Sequence, residues 1–308
     1  MKIYEFWYSE EIGRYPIFLP TVLKLISSLI VGGADHQGAK PGILVSSKPY
    51  GLDVNQKTNL VYVADSGSNQ ISVIDGTRDD IKANITVNHP YALALDPDYD
   101  RLYVTNGPSN SLSVIDGDTF RSVDSIKVGK APNAVVVDPG SQWIFTANHD
   151  DNTVSVIDGV NDKLVGNVTV GKGPSDLAID LVTKRLYVAN SGSNTVSVLD
   201  YFTSHGRTKF VVQMTTLRVG HFPDCVAVNQ DVNLVYVCNG GDNTVSVING
   251  STEKAINNIT VGEDPVAASV DPSSGKVYVA NYDDDKISVI SGTSDNLTKS
   301  VRVDIRQA

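Results

Sequence analysis

Apolar residues recur along this chain in short runs, and their polar interruptions sort them into four kinds of strand. The run Ala134-Val135-Val136-Val137-Asp138 does not alternate, as expected of a strand buried on both faces. A second kind, such as Leu186-Tyr187-Val188-Ala189-Asn190, ends on Asn or Asp. A third, such as Val154-Ser155-Val156-Ile157-Asp158-Gly159, runs into a turn dipeptide. The fourth, such as Asn167-Val168-Thr169-Val170, alternates polar and apolar, so one face meets water. Asp-Pro turns (Asp96-Pro97, Asp138-Pro139, Asp271-Pro272) join the first kind to the second.

The four kinds return in the same order six times. Tyr62, Tyr103, Phe145, Tyr187, Tyr236 and Tyr278 begin equivalent tetrapeptides, spaced 41, 42, 42, 49 and 42 residues apart. Pro49, Pro90, Pro132, Pro174, Pro223 and Pro265 open the same units at the same spacings. Four antiparallel strands in about 42 residues, repeated, predict an all-β fold, a β-propeller of four-stranded blades. One blade cannot bury both of its faces, so neighbouring blades must cover them.

The tetrapeptide Tyr103-Val104-Thr105-Asn106 and its copies carry a family resemblance. The chain resembles the YVTN-repeat β-propellers of archaeal surface-layer proteins and related bacterial propellers, over roughly residues 43–305. That resemblance implies a non-catalytic interaction or cell-surface structural role, with a protein or glycan at the cell surface as partner. Related propellers also host lyase and lactone hydrolase sites, so an enzyme, metal-assisted or not, is the alternative. Surface-layer members look seven-bladed, whereas six units are legible here. Either the ring has six blades, or residues 1–48 supply a poorly matching seventh; Ile43–Val45 falls where the last strand of a preceding blade would lie.

Residues 1–41 form a separate segment, with the propeller spanning 42–308. Val22, Leu25, Ile26, Leu29 and Ile30 follow helical spacing, Thr21 can cap the start, and Gly32-Gly33 can end it. The readings are a short helix packed on the propeller or a partner, a targeting segment, or a degenerate blade. Lys2 and Arg14 are outnumbered by Glu5, Glu10 and Glu11, which is unlike a positive secretory n-region.

A formal net charge of −10 argues against nucleic acid, because phosphate neutralisation needs a basic face. Only two cysteines exclude a disulfide framework or a four-cysteine zinc site. Cys225 and Cys238 occupy small-residue slots, equidistant from one hairpin centre. Both the buried thiol pair and the cross-strand disulfide stay open.

The run NHDDNT (148–153) has the residue types of a metal or proton-transfer site. The same turn reads DSGSNQ, NGPSNS, NSGSNT, NGGDNT and NYDDDK elsewhere, so a structural turn is expected. Asp96, Asp98 and Asp100 imitate an EF-hand start, but Arg101 stands where its glycine belongs. No cofactor is expected other than a divalent cation such as calcium, for which Asp283-Asp284-Asp285 offers some oxygens. The residues flanking the six prolines are predicted to ring one mouth of the channel. Tyr50, Tyr91, Asn133, Ser175 and Asp224 follow the proline; His89, Lys130, Lys172, His221 and Glu263 precede it. This ring is chemically mixed although folding does not require the variation, which makes it the candidate ligand-binding surface. Its small-molecule ligand, if it takes one, is not legible. In the enzyme alternative, His89 or His221 is the base and Asp224 or Glu263 holds a metal.

Five Asn-x-Ser/Thr sequons, at Asn84, Asn167, Asn249, Asn258 and Asn296, suit an extracellular or cell-surface location. The acidic N-terminal segment suits the cytoplasm.

Overall fold

The computed structural model describes residues 43–201, 214–292 and 297–302. The expected N-terminal helix, the boundary at residue 41 and Asn296 lie outside the described residues. Six antiparallel sheets follow one another, each with four strands in chain order. Blade one consists of Pro49–Asn55, Leu60–Asp65, Gln70–Asp75 and Asp80–Thr86. Blades two to six cover residues 90–127, 132–169, 174–218, 223–260 and 265–302. The predicted β-propeller of four-stranded blades is the observed fold.

The tyrosines that begin the second-strand tetrapeptides explain how blades stack. Tyr103 is 1% exposed and packs from blade two against Val135, Val137 and Ile144 of blade three. Tyr187 lies between blades four and five with Val226, Val235 and Val237. Phe145 does the same between blades three and four. A Cβ on Gly159 would stand 3.2 Å from the Tyr103 hydroxyl, so the turn glycine of the next blade makes room for the ring's polar tip. Burying a ring of this size contributes on the order of 3 kcal/mol relative to exposure.

Five such cores join six blades. The two end faces form separate clusters among the described residues, one around Tyr278, Val266 and Ala267, the other around Leu52, Val61 and Val63. Among the described residues, the first strands of blades six and one are not packed together as closely as those of consecutive blades. Ile43 and Val45 pack on the blade-one face as Ile126 and Val128 of blade two pack on blade three.

Each second-to-third-strand hairpin has a left-handed residue at its tip: Asn69, Asn110, Asn152, Asn194, Asn243 and Asp285. Asn pays little for positive φ. At five tips the Asn side chain also accepts the N–H of the residue before the next blade's proline. Asn152 Oδ1 accepts from Gly173 N at 2.8 Å and Asn243 Oδ1 from Asp264 N at 3.0 Å. Asn69, Asn110 and Asn194 do the same for His89, Ala131 and Phe222. The hairpin of one blade thus holds the entrance to the next.

Cys225 and Cys238 face each other in register across the first two strands of blade five and form a disulfide. Both are fully buried, consistent with their small-residue slots.

Candidate functional site

The residues predicted to ring the channel mouth are positioned by an irregularity that recurs in every blade. Just after each opening proline the first strand slips out of register with the second, as between Pro174 and Asp176 or Pro223 and Cys225. Such a bulge lifts a side chain out of the ladder and re-aims it. Sequence reasoning missed the bulge; the repeated proline was its only signal.

Post-proline side chains reach from one blade to the next. Tyr50 and Tyr91 stack with centroids 4.7 Å apart. Asn133 Nδ2 donates to the Pro174 carbonyl at 3.1 Å, and Ser175 Oγ donates to the Pro223 carbonyl at 2.7 Å. Asp224 occupies the same place in blade five, yet its carboxylate makes no hydrogen bond among the described residues. Its Oδ2 and the Asp264 Oδ1 lie 2.5 and 2.8 Å from where a Gly240 Cβ would stand. Burial, with the Asp264 carboxylate beside it, pushes Asp224 up to about 7. Asp264 is itself pushed up by burial and by Asp283. Asp176, buried on the first strand of blade four, accepts the Val226 N–H at 2.9 Å and is also pushed up to about 7, by burial foremost. An arc of carboxylates therefore runs from blade four to blade six, while the aromatic pair belongs to blades one and two.

The residues preceding the prolines are exposed and mostly serve the scaffold. Lys130 donates its N–H to Asp151 Oδ2 at 2.7 Å, with its ammonium 3.8 Å from the same carboxylate. Lys172 N–H donates to Ser193 Oγ at 3.1 Å. His221 Nδ1 meets Asp242 Oδ1 at 2.8 Å, which turns the imidazole toward the hairpin. His89 Nδ1 meets its neighbour Asn88 at 2.8 Å. Glu263 is exposed on the blade-six connection, where its carbonyl accepts the Asp283 N–H. The structure thus groups Tyr50 with Tyr91 and Asp224 with Asp264. Among the described residues it brings neither histidine to Asp224. Asp264 was missed because it stands in a proline-preceding slot that carries Ala or Gly in blades three and four.

Most of the other acidic candidates already have partners. In NHDDNT, His149 pairs with Asp150 and Asp151 fastens Lys130. Asp96 caps the Asp98 N–H, Asp98 pairs with Lys57, and Asp100 accepts Asn55 Nδ2. Asp284 Oδ2 pairs with Lys286 at 3.0 Å, while its Oδ1 is buried with no partner among the described residues. Among the described residues no three His, Cys, Asp or Glu side chains converge as metal ligands, and the Asp283–Asp285 run does not present the six to eight oxygens calcium takes.

With this geometry in hand, the comparisons with known proteins place the chain. Residues 38–217 match the family model of the YNCE-like beta-propeller, more than half of the sequence. The chain belongs to the YNCE-like β-propellers. Residues 199–307 of this YNCE-like chain match the model described as "Lactonase, 7-bladed beta-propeller". No curated protein sequence matches it. Among solved structures, it is similar to Kuenenia stuttgartiensis hydrazine synthase at a TM-score of 0.50 and 15% identity, covering 88% of this chain and 100% of that one. At that identity the likeness concerns the fold of YNCE-like propellers alone.

Proposed function

We propose that this protein is a non-catalytic interaction propeller of the cell surface, of the YVTN-repeat, archaeal surface-layer type, whose channel mouth binds a protein partner. The observation that carries this reading is Asp224. Its counterparts donate to the scaffold, Asn133 through Nδ2 with its Oδ1 left unpartnered and Ser175 through Oγ, whereas Asp224 presents a half-buried carboxylate that no described residue engages. A Lys or Arg side chain of a partner would complete it, and the Tyr50–Tyr91 stack offers an aromatic shelf on the other arc. The six repeated tetrapeptides support the repeat type. The Cys225–Cys238 disulfide supports an oxidising, exterior compartment over the cytoplasm.

An array of lysine- and arginine-bearing peptides, with surface glycans beside them, tests the reading. Peptides that bind the wild type should lose at least tenfold in affinity in Asp224→Asn and in Tyr91→Ala, while His149→Ala, on a hairpin turn, should bind normally. Peptide binding that survives both mouth variants, or binding of glycans only, would defeat it.

A second reading has one observation behind it: the lactonase-type match over residues 199–307 contains Asp224. A carboxylate titrating near 7 has the basicity of a general base for water attack on a lactone. Acid release from a panel of aliphatic lactones, abolished in Asp224→Asn, would favour that reading over the first.

A further inference from the structure

Three of the five sequons share a structural position. Asn84, Asn167 and Asn258 stand on the outermost strands of blades one, three and five, opposite Ser72, Ser155 and Ser246 of the third strands. All three are exposed, as are Thr86, Thr169 and Thr260 two residues on. In a strand, residues i and i+2 share a face, so each Asn and its sequon hydroxyl look out together.

The hydrogen bonding fixes which end of the amide faces solvent. Ser155 Oγ accepts from Asn148 Nδ2 at 2.9 Å and from Gly129 N at 3.1 Å, which fills both lone pairs. Its single proton therefore goes outward, to Asn167 Oδ1 at 2.8 Å. Ser246 Oγ likewise accepts from Asn239 Nδ2 at 2.9 Å and donates to Asn258 Oδ1 at 2.7 Å. The amide oxygens point in and the Nδ2 groups point out. In blade one Asp65 replaces the inner Asn and takes the single Ser72 proton at 2.6 Å, so at Asn84, whose Oδ1 lies 3.3 Å from Ser72 Oγ, exposure and register rather than this hydrogen bond make the Asn available. Space outside the strand is open: a Cβ on Gly166, beside Asn167, would meet nothing within 4 Å. Blades two, four and six carry Ser125, Thr216 and Ser300 at the same register, so the acceptors fall on alternate blades.

We propose that Asn84, Asn167 and Asn258 are N-glycosylated, forming a belt of three glycans on the outer rim. The donor would be a lipid-phosphate-linked sugar, transferred by a membrane oligosaccharyltransferase. Nδ2 bonds to the anomeric carbon while the bond from that carbon to the phosphate oxygen breaks. The lipid phosphate leaves with the electron pair, and one Nδ2 proton passes to a base. Alternate placement leaves a full blade between bulky groups, and each glycan covers an edge strand that would otherwise invite pairing with another chain. Asn249 differs: its amide oxygen accepts the Ser251 and Thr252 N–H groups within a tight, half-buried turn, so it should stay bare. The inference rests on the exterior compartment proposed above, and it is independent of what the mouth binds.

The test is peptide mapping by mass spectrometry of the protein from its native source, together with the cell fraction that yields it. Envelope-associated protein should carry glycopeptides at Asn84, Asn167 and Asn258 and an unmodified Asn249. Thr169→Ala, which leaves Asn167 in place, should abolish modification there, and Thr169→Ser should retain it. Envelope-associated protein with bare sequons overturns the glycan belt and leaves the compartment standing. Bare protein from the cytosolic fraction overturns both. Modification at Asn249 as complete as at the other three overturns the structural selection argued here.

Discussion

Asp224 owes its properties to a substitution at a repeated position. Asn133 and Ser175 can donate a proton to the carbonyl of the next proline, and an ionised carboxylate cannot. The carboxylate is instead held beside Asp264 with part of its hydration lost, and its pKa rises to about 7. A carboxyl group whose folded pKa lies above its unfolded value of about 4 binds its proton more tightly in the folded state. Its contribution to stability is therefore full below about pH 4 and is lost as pH rises toward 7. A shift of that size corresponds to at most about 4 kcal/mol, which solvent access at the rim reduces to on the order of 1–2 kcal/mol. Urea unfolding at pH 5 and pH 8 should show the wild type losing that much stability relative to Asp224→Asn across the interval. Parallel pH dependence in the two proteins would mean that Asp224 titrates normally. The place of Asp224 directly after the opening proline of blade five was legible from the repeat register. Its lack of partners was not, because that depends on a bulge and on the direction of a neighbouring carbonyl.

At the scale of elements, the hairpin tips account for both recurring asparagines of the turn. The first, as in Asn148 and Asn239, bonds inward to the third-strand serine, and the second sits left-handed and holds the next blade's entrance. The repeat reading recognised NHDDNT as such a turn because its siblings lack the histidine and the acids. That Asn tolerates positive φ accounts for the second asparagine from sequence alone, whereas the side-chain partners of both, 7 and about 20 residues away, are not legible there. Asn152→Ala should lose about 2 kcal/mol, combining left-handed strain with the bond to Gly173 N–H. Asn152→Gly removes only the bond and should lose roughly half as much. Denaturation midpoints measure both, and equal losses would refute the division. The bulges that shape the mouth have no residue pattern of their own beyond the proline, so they became visible only in the ladder register.

At the scale of the molecule, sequence periodicity alone implied stacked blades, and the five inter-blade cores follow from the Tyr or Phe at the start of each tetrapeptide. Periodicity did not foretell that the end faces around Tyr278 and Val61 would form two separate clusters among the described residues, because a repeat looks the same inside an arc as inside a closed ring. The same regularity singles out the mouth. The scaffold positions repeat from blade to blade, whereas the post-proline ring passes from stacked tyrosines to amide, hydroxyl and carboxylate. The central claim is that this mouth binds a cationic partner through Asp224. The most direct measurement is calorimetric titration of wild type and Asp224→Asn with an array-selected lysine peptide at pH 5.5 and pH 8. The account predicts that wild-type affinity rises severalfold with pH as Asp224 ionises, and that the variant binds weakly and equally at both. Affinity that is the same in the two proteins, or that falls as pH rises, would contradict it.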